Sequence, residues 1–230
     1  MLRERYNDQA AAQIGKITTD APAVLTDETF LQALNVLSKC DSDLARILKD
    51  WGSPPRWARE PGFPTLLRII LEQQVSLASA KATYKRLLEA VSPLTPQRFL
   101  DLDDDALKSI GFSRQKTAYG RHLAQLIADG ELDLASVNAM DDETARAELT
   151  KVKGIGIWTA NIYLLAALGR PDIWPSRDLA LAMAVQKAKG LDSCPKPDEL
   201  EGLSIPWQPW RSVAARLLWH FYRSSAKNEK

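Results

Sequence analysis

A helical period of apolar residues runs through almost every long segment of this chain, and no sustained polar–apolar alternation between hairpin turns competes with it. Residues three and four apart share a buried face only on a helix, so the pattern restricts the 230 residues to an all-α class. Apolar faces predict helices over Asp27–Ser38, Asp41–Asp50, Phe63–Gln74, Leu77–Ala90, Asp103–Ile110 and Arg114–Ala128. Further helices are expected over Asp141–Val152, Trp158–Leu168, Asp178–Lys189 and Trp207–Ser224. Between them stand breakers: Gly52-Ser53-Pro54-Pro55, Pro93, Gly111, Gly130, Gly154, Gly156, Pro171, Pro175, Pro195, Pro197 and Pro206. Residues 1–25 are small, polar and weakly periodic, which reads as a loosely ordered N-terminal arm ahead of a core spanning 26–230.

With 45% hydrophobic and 26% charged residues, the chain has the composition of a folded globular protein rather than of a disordered one. Thirty Lys and Arg against 29 Asp and Glu leave a net charge of +1, which excludes a uniformly basic nucleic-acid coat. The charge is nevertheless uneven. Asp129–Glu148 is acid-rich with Arg146 as its sole cation, whereas Arg211–Lys230 is base-rich with Glu229 as its sole acid. One face can therefore approach a polyanion, although solvated helix faces explain each run equally well. Two cysteines, Cys40 and Cys194, cannot supply a disulfide scaffold, a four-cysteine zinc site or an iron–sulfur cluster, and they fit a reducing, cytoplasmic compartment. His122 and His220 lack metal-ligand spacing. The longest apolar stretches, such as Ile162–Leu168, fall far short of the roughly 20 residues a bilayer requires, and Met1–Gly15 lacks a signal-peptide core, so no membrane partner is expected.

The stretch Leu149-Thr150-Lys151-Val152-Lys153-Gly154-Ile155-Gly156-Ile157-Trp158-Thr159-Ala160-Asn161 carries the most chemistry. Helical sequence leads into a Gly-Ile-Gly turn and helical sequence leads out. The glycines permit positive φ and close backbone approach, Ile155 can anchor the turn, and the exit helix aims its free N–H groups outward. Such a helix start holds a phosphate without reading a base. A plain tight turn accounts for the same residues; a dinucleotide fingerprint does not, lacking a preceding strand and a third glycine.

Taken together, these blocks resemble the helix-hairpin-helix DNA glycosylase superfamily, and within it the bacterial 3-methyladenine DNA glycosylase II group. Leu149 to Ala160 matches the family's hairpin, and Trp174-Pro175-Ser176-Arg177-Asp178-Leu179 resembles the loop carrying its catalytic aspartate, at the family's spacing from Gly154. Phe63 to Ser76 looks like the helix leading to its DNA-inserting loop, and Trp207 to Ser212 with Trp219 resembles its C-terminal helix. The resemblance implies a two-lobed helical core with a cleft near Asp178. The middle lobe would span about 76–175 with its hairpin at 149–161, the remaining N- and C-terminal helices would form the other lobe, and no additional N-terminal β domain is expected.

The resemblance also assigns roles. Asp178 is the expected catalytic carboxylate; read alone, it is equally an N-cap for the helix that follows. Trp158, Trp219, Ile162 and Leu179 fall at base-pocket positions, where aromatic faces attract cationic bases. Gln74 stands at the DNA-inserting position, where the 3-methyladenine group has leucine and other branches glutamine. Gly154, Gly156, Ile157 and Thr159 are expected at phosphate, and the backbone carbonyls of Thr150, Val152 and Ile155 at a sodium or potassium ion, with no cofactor required for catalysis. Bifunctional relatives carry a Schiff-base lysine two residues after the second glycine. Here that residue is Trp158, which implies a monofunctional hydrolase without lyase activity.

The implied function is excision of alkylated purines such as 3-methyladenine and 7-methylguanine from double-stranded DNA by a monomer. Deaminated or ethenoadenine lesions remain an alternative, because Ile162 and Leu179 make the pocket more aliphatic than that of close relatives. A non-catalytic helix-hairpin-helix damage-binding protein is the rival from another class, and it leaves Asp178 unexplained.

Overall fold

A computed structural model describes residues 23–228, and these contain α-helices, one 3-10 turn and no strand. The helices are α1 (Asp27–Cys40), α2 (Ser42–Trp51), α3 (Phe63–Glu72), α4 (Leu77–Ala90), α5 (Pro96–Leu100), α6 (Asp104–Ile110) and α7 (Arg114–Ala128). They continue with α8 (Leu134–Ala139), α9 (Asp142–Thr150), α10 (Ile157–Ala166), α11 (Leu179–Lys189), α12 (Pro197–Ser204) and α13 (Arg211–Asn228). Short polar residues start most of them: the side chains of Thr26, Asp41, Ser76, Thr95, Asp103, Ser113, Asp133, Asp141 and Asp178 each accept from an N–H of the first turn.

Three helices lie outside the expected set: α5 and α8 are too short to repeat an apolar face, and α12 lies among the prolines read as breakers. Pro197, a breaker by sequence, instead opens α12, where its missing N–H costs no hydrogen bond. The last helix begins at Arg211 rather than Trp207, because Pro206 and Pro209 divert the chain through a 3-10 turn at Ile205–Trp207.

The described residues divide into two units, one of residues 23–57 with 169–228 and one of residues 58–168. In the first, α13 packs on α11, α2 and α1 around Phe30, Leu34, Leu37, Leu44, Ile47, Val185 and Leu217, all buried. Trp174, in the loop that leads to α11, meets Trp207 edge to face at 5.3 Å. The Arg211 guanidinium grips both carboxylate oxygens of Asp172 at 2.8 Å each, fixing that loop to the start of α13. Residues 1–22 of the expected arm lie outside the described residues; Leu25 is buried and its N–H donates to Gly169 O.

In the second unit, α3 packs against α4, α7 and α10, with Leu66, Leu67, Ile69 and Ile70 buried. Phe99 joins it to α5 through ring contacts with Phe63 and Phe112 at 5.8 and 5.7 Å. The N–H of Gly62, which α3 cannot use, donates to the buried Tyr163 hydroxyl of α10. Burial holds that hydroxyl above its ordinary pKa, the Gly62 N–H opposing the shift. Among the described residues no helix is long and apolar enough to cross a membrane.

Candidate active site

The hairpin joins α9 to α10. Val152 accepts the Ile155 N–H at 2.9 Å and closes the turn, while Ile155, only 3% exposed, pins it to the interior. The two glycines serve different ends. Gly154 has φ +92°, and a Cβ there would stand 2.3 Å from Cγ of Tyr119 on α7, so the fold itself requires glycine. Gly156 has φ −90°, and a Cβ there would meet nothing within 4 Å. The expectation that both glycines supply positive φ holds for Gly154 alone. Among the described residues no neighbour requires glycine at position 156.

Gly156 is the N-cap of α10 and brings no side chain to cap it. The first turn, with exposed Ile157, therefore opens on a helix start without a side-chain acceptor, the arrangement that suits a phosphate oxygen. Thr159 faces the other way: it is buried, and its hydroxyl accepts from the Gln73 side-chain amide at 2.8 Å. Its side chain thus braces the hairpin. Thr150 ends α9, where helix carbonyls lie beyond the helix's own N–H supply. Val152 O spends one lone pair on Ile155 and retains the second.

Gln74 does not end a helix. α3 stops at Glu72, Gln73 is extended (φ −64°, ψ 130°), and Gln74 is left-handed at φ +54°, at the exposed tip of the turn before α4. Val75 and Leu77 beside it are exposed apolar residues. Nothing in Glu72-Gln73-Gln74 signals a stop, so sequence reasoning carries the helix two residues too far.

Asp178 caps α11. Its Oδ1 accepts both the Leu181 N–H at 2.7 Å and the Trp219 indole Nε1–H at 3.1 Å, the latter from α13. Capping and chemistry are compatible: two donors on one oxygen set the plane and direction of the carboxylate. Leu179 follows at 70% exposure and Trp219 is half-buried, so this unit gathers three of the expected site residues. Trp158 and Ile162, one turn apart and both half-buried, share a face of α10. Trp174, Trp207 and Trp210 are buried packing residues.

Gln73, Lys116 and Tyr119 are the site residues that sequence reasoning missed. Each acts on a backbone distant in sequence, for which local pattern holds no signal. Among the described residues no group of His, Cys, Asp or Glu is arranged to hold a metal.

An all-α fold with a glycine turn between two helices and an aspartate fixed at a downstream helix start is the arrangement expected of the helix-hairpin-helix class of DNA repair protein. Residues 67–209 match the model of the HhH-GPD superfamily base excision DNA repair proteins, and the chain belongs to that family. It is 28% identical over 89% of its length to the putative DNA-3-methyladenine glycosylase YfjP of Bacillus subtilis, covering 74% of that protein. It is 27% identical to an alkylbase DNA glycosidase-like protein of Schizosaccharomyces pombe, covering 88% of this chain and 99% of that one. Its fold matches the Schizosaccharomyces pombe 3-methyladenine DNA glycosylase solved with abasic DNA, with a TM-score of 0.76, 26% identity and coverage of 82% and 95%. The DNA-3-methyladenine glycosidase of Bacillus halodurans matches with a TM-score of 0.70 and 27% identity over 88% of this chain and 93% of that one.

Proposed function

We propose that this chain is a monofunctional DNA glycosylase that extrudes alkylated purines, 3-methyladenine and by the same chemistry 7-methylguanine, from double-stranded DNA and hydrolyses their N-glycosidic bond. The observation that carries this reading is the Asp178 carboxylate, aimed by Leu181 N–H and the Trp219 indole together. Breaking the glycosidic bond sends its electron pair to the base and leaves positive charge on the sugar. A fixed carboxylate stabilises that charge and takes a proton from the water whose oxygen bonds to the sugar carbon. An alkylated purine carries a positive ring and leaves as a neutral base, so no strong acid is needed to protonate it. The aromatic faces of Trp158 and Trp219 suit such a cation.

The hairpin supports the same reading: the first-turn N–H groups of α10, at Ile157 and Thr159, and the bare backbone of Gly156 would take a phosphate. The carbonyls of Thr150, Val152 and Ile155 suit a hard monovalent ion, sodium or potassium, whose charge would bridge hairpin and phosphate. With Trp158 in place of an imine-forming lysine, the backbone of abasic DNA is left uncut, and borohydride traps no covalent adduct. The chain would act as a monomer.

The test is release of free base from methylated duplex DNA by wild-type protein and Asp178→Asn, resolving 3-methyladenine from 7-methylguanine. Release by wild type alone, with DNA binding retained in both, is expected. Binding without release of these bases, of ethenoadenine or of hypoxanthine by the wild type would overturn it in favour of a non-catalytic damage-binding protein.

A further inference from the structure

The turn that carries Gln74 is anchored up to the residue before its tip. The Glu72 carboxylate is gripped by Arg59 through both guanidinium nitrogens at 3.0 Å, and by Arg68 at 3.2 Å. The Gln73 side-chain amide donates to Gly154 O at 2.9 Å and to the Thr159 hydroxyl at 2.8 Å, spanning the hairpin turn and the first turn of α10. Lys116 of α7 donates to Leu71 O at 2.6 Å and Gln73 O at 2.9 Å, meeting carbonyls at the end of α3 that the helix leaves unsatisfied. One turn along α7, Tyr119 seats Gly154. Immediately beyond these anchors comes Gln74 at φ +54°, which a non-glycine residue keeps only where its surroundings impose it.

We propose that Gln73 and Lys116 are positioning residues: they hold Gln74 left-handed at the tip and lock the tip to the hairpin, so that seating the hairpin on phosphate and driving Gln74 into the duplex are one rigid movement. The inference rests on the reading of this chain as a base-extruding glycosylase. α3 ends where it does because Lys116 takes its final carbonyls. The Gln73 amide makes the hairpin the support against which the tip pushes. Burial lowers the Lys116 pKa but leaves its donors on both carbonyls.

The test measures extrusion apart from chemistry. Gln73→Ala and Lys116→Met are titrated against a duplex with 2-aminopurine at the target position, whose fluorescence rises when the base leaves the stack, and against an undamaged duplex for affinity alone. Gln73→Glu keeps the shape and turns the donating amide into an acceptor, a second variant should Gln73→Ala fail to fold. Extrusion is expected to fall about tenfold or more, while affinity for undamaged duplex changes far less. Adding Gln74→Asn to Gln73→Ala should restore part of the signal, since asparagine tolerates the left-handed region better than glutamine. Variants that extrude like wild type, or lose extrusion and affinity in equal proportion, would overturn the proposal. If wild type releases no base yet loses extrusion in these variants, the glycosylase reading fails and the latch stands; if it releases base and the variants extrude normally, the reverse holds. A wild type that neither extrudes nor releases a base removes both.

Discussion

Replacing each hairpin glycine by alanine separates what the fold needs from what a partner needs. At Gly154 the new Cβ would lie 2.3 Å from Cγ, 2.4 Å from Cδ2 and 2.8 Å from Cβ of Tyr119, on a backbone held at φ +92°. Left-handed strain for a non-glycine residue costs about 1–2 kcal/mol, and displacing packed neighbours costs about 1–3 kcal/mol more. Gly154→Ala should therefore destabilise by about 2–5 kcal/mol, lowering Tm by about 5–15 °C at this chain length. At Gly156 neither cost applies, since φ is −90° and a Cβ would meet no described atom within 4 Å, so Gly156→Ala should lose no more than about 1 kcal/mol, the N-cap preference for glycine over alanine. The order reverses in DNA binding. Gly156→Ala puts a methyl group between the α10 start and a phosphate oxygen, and should weaken duplex affinity about tenfold across sequences, read by fluorescence anisotropy at fixed salt. Tyr119→Ala should recover part of the lost stability of Gly154→Ala. Gly156→Ala that folds and binds like wild type would refute a phosphate at this helix start; Gly154→Ala with unchanged Tm would refute the tyrosine seat.

Trp219→Phe retains an aromatic face but removes the donor to Asp178, and hydrogen bonds to charged groups contribute about 1.5–3 kcal/mol. Its kcat for base release should fall at least about tenfold with DNA affinity little changed; equal loss from KM alone would speak for stacking only. Asp41 lies under opposing influences: burial pushes its pKa up, but the Lys189 charge and hydrogen bonds from Lys189, Trp207 and Leu44 hold it below the ordinary carboxylate value. Its contribution is thus complete above about pH 4 and lost as pH falls through the depressed folded value, so Asp41→Asn should be less stable at pH 7 and lose less between pH 5 and acid. Thermal melts across that range check the slope, and parallel curves would exclude the assignment. Exchanging sodium and potassium for tetramethylammonium should weaken duplex binding while leaving helicity intact; unchanged affinity would remove the ion from the hairpin carbonyls.

Much of the candidate site is legible in the sequence because its parts are local. Leu149 to Asn161 announces a turn between helices through two glycines and an anchoring isoleucine, and Asp178 before Leu179-Ala180-Leu181-Ala182 announces a helix start. The turn at Gln74 is not local. Its residues favour continuing α3, and the groups that bond to the turn, Lys116 of α7 and the hairpin, come from elsewhere in the chain. Trp219 likewise reads as one more aromatic on an apolar helix until its indole is seen on Asp178, forty-one residues away.

The all-α class, most long helices and the hairpin follow from local pattern, since helical period, capping side chains and glycine conformation act within a few residues of one another. Only the packing shows that Gly154 answers to Tyr119, and that a side chain at Gly156 would meet no neighbour among the described residues. It alone decided which end of α3 yields a left-handed tip, and which oxygen of Asp178 receives two donors. Those outcomes depend on groups brought together by packing, and a hydrogen bond or a steric overlap across such a distance leaves no period in the chain.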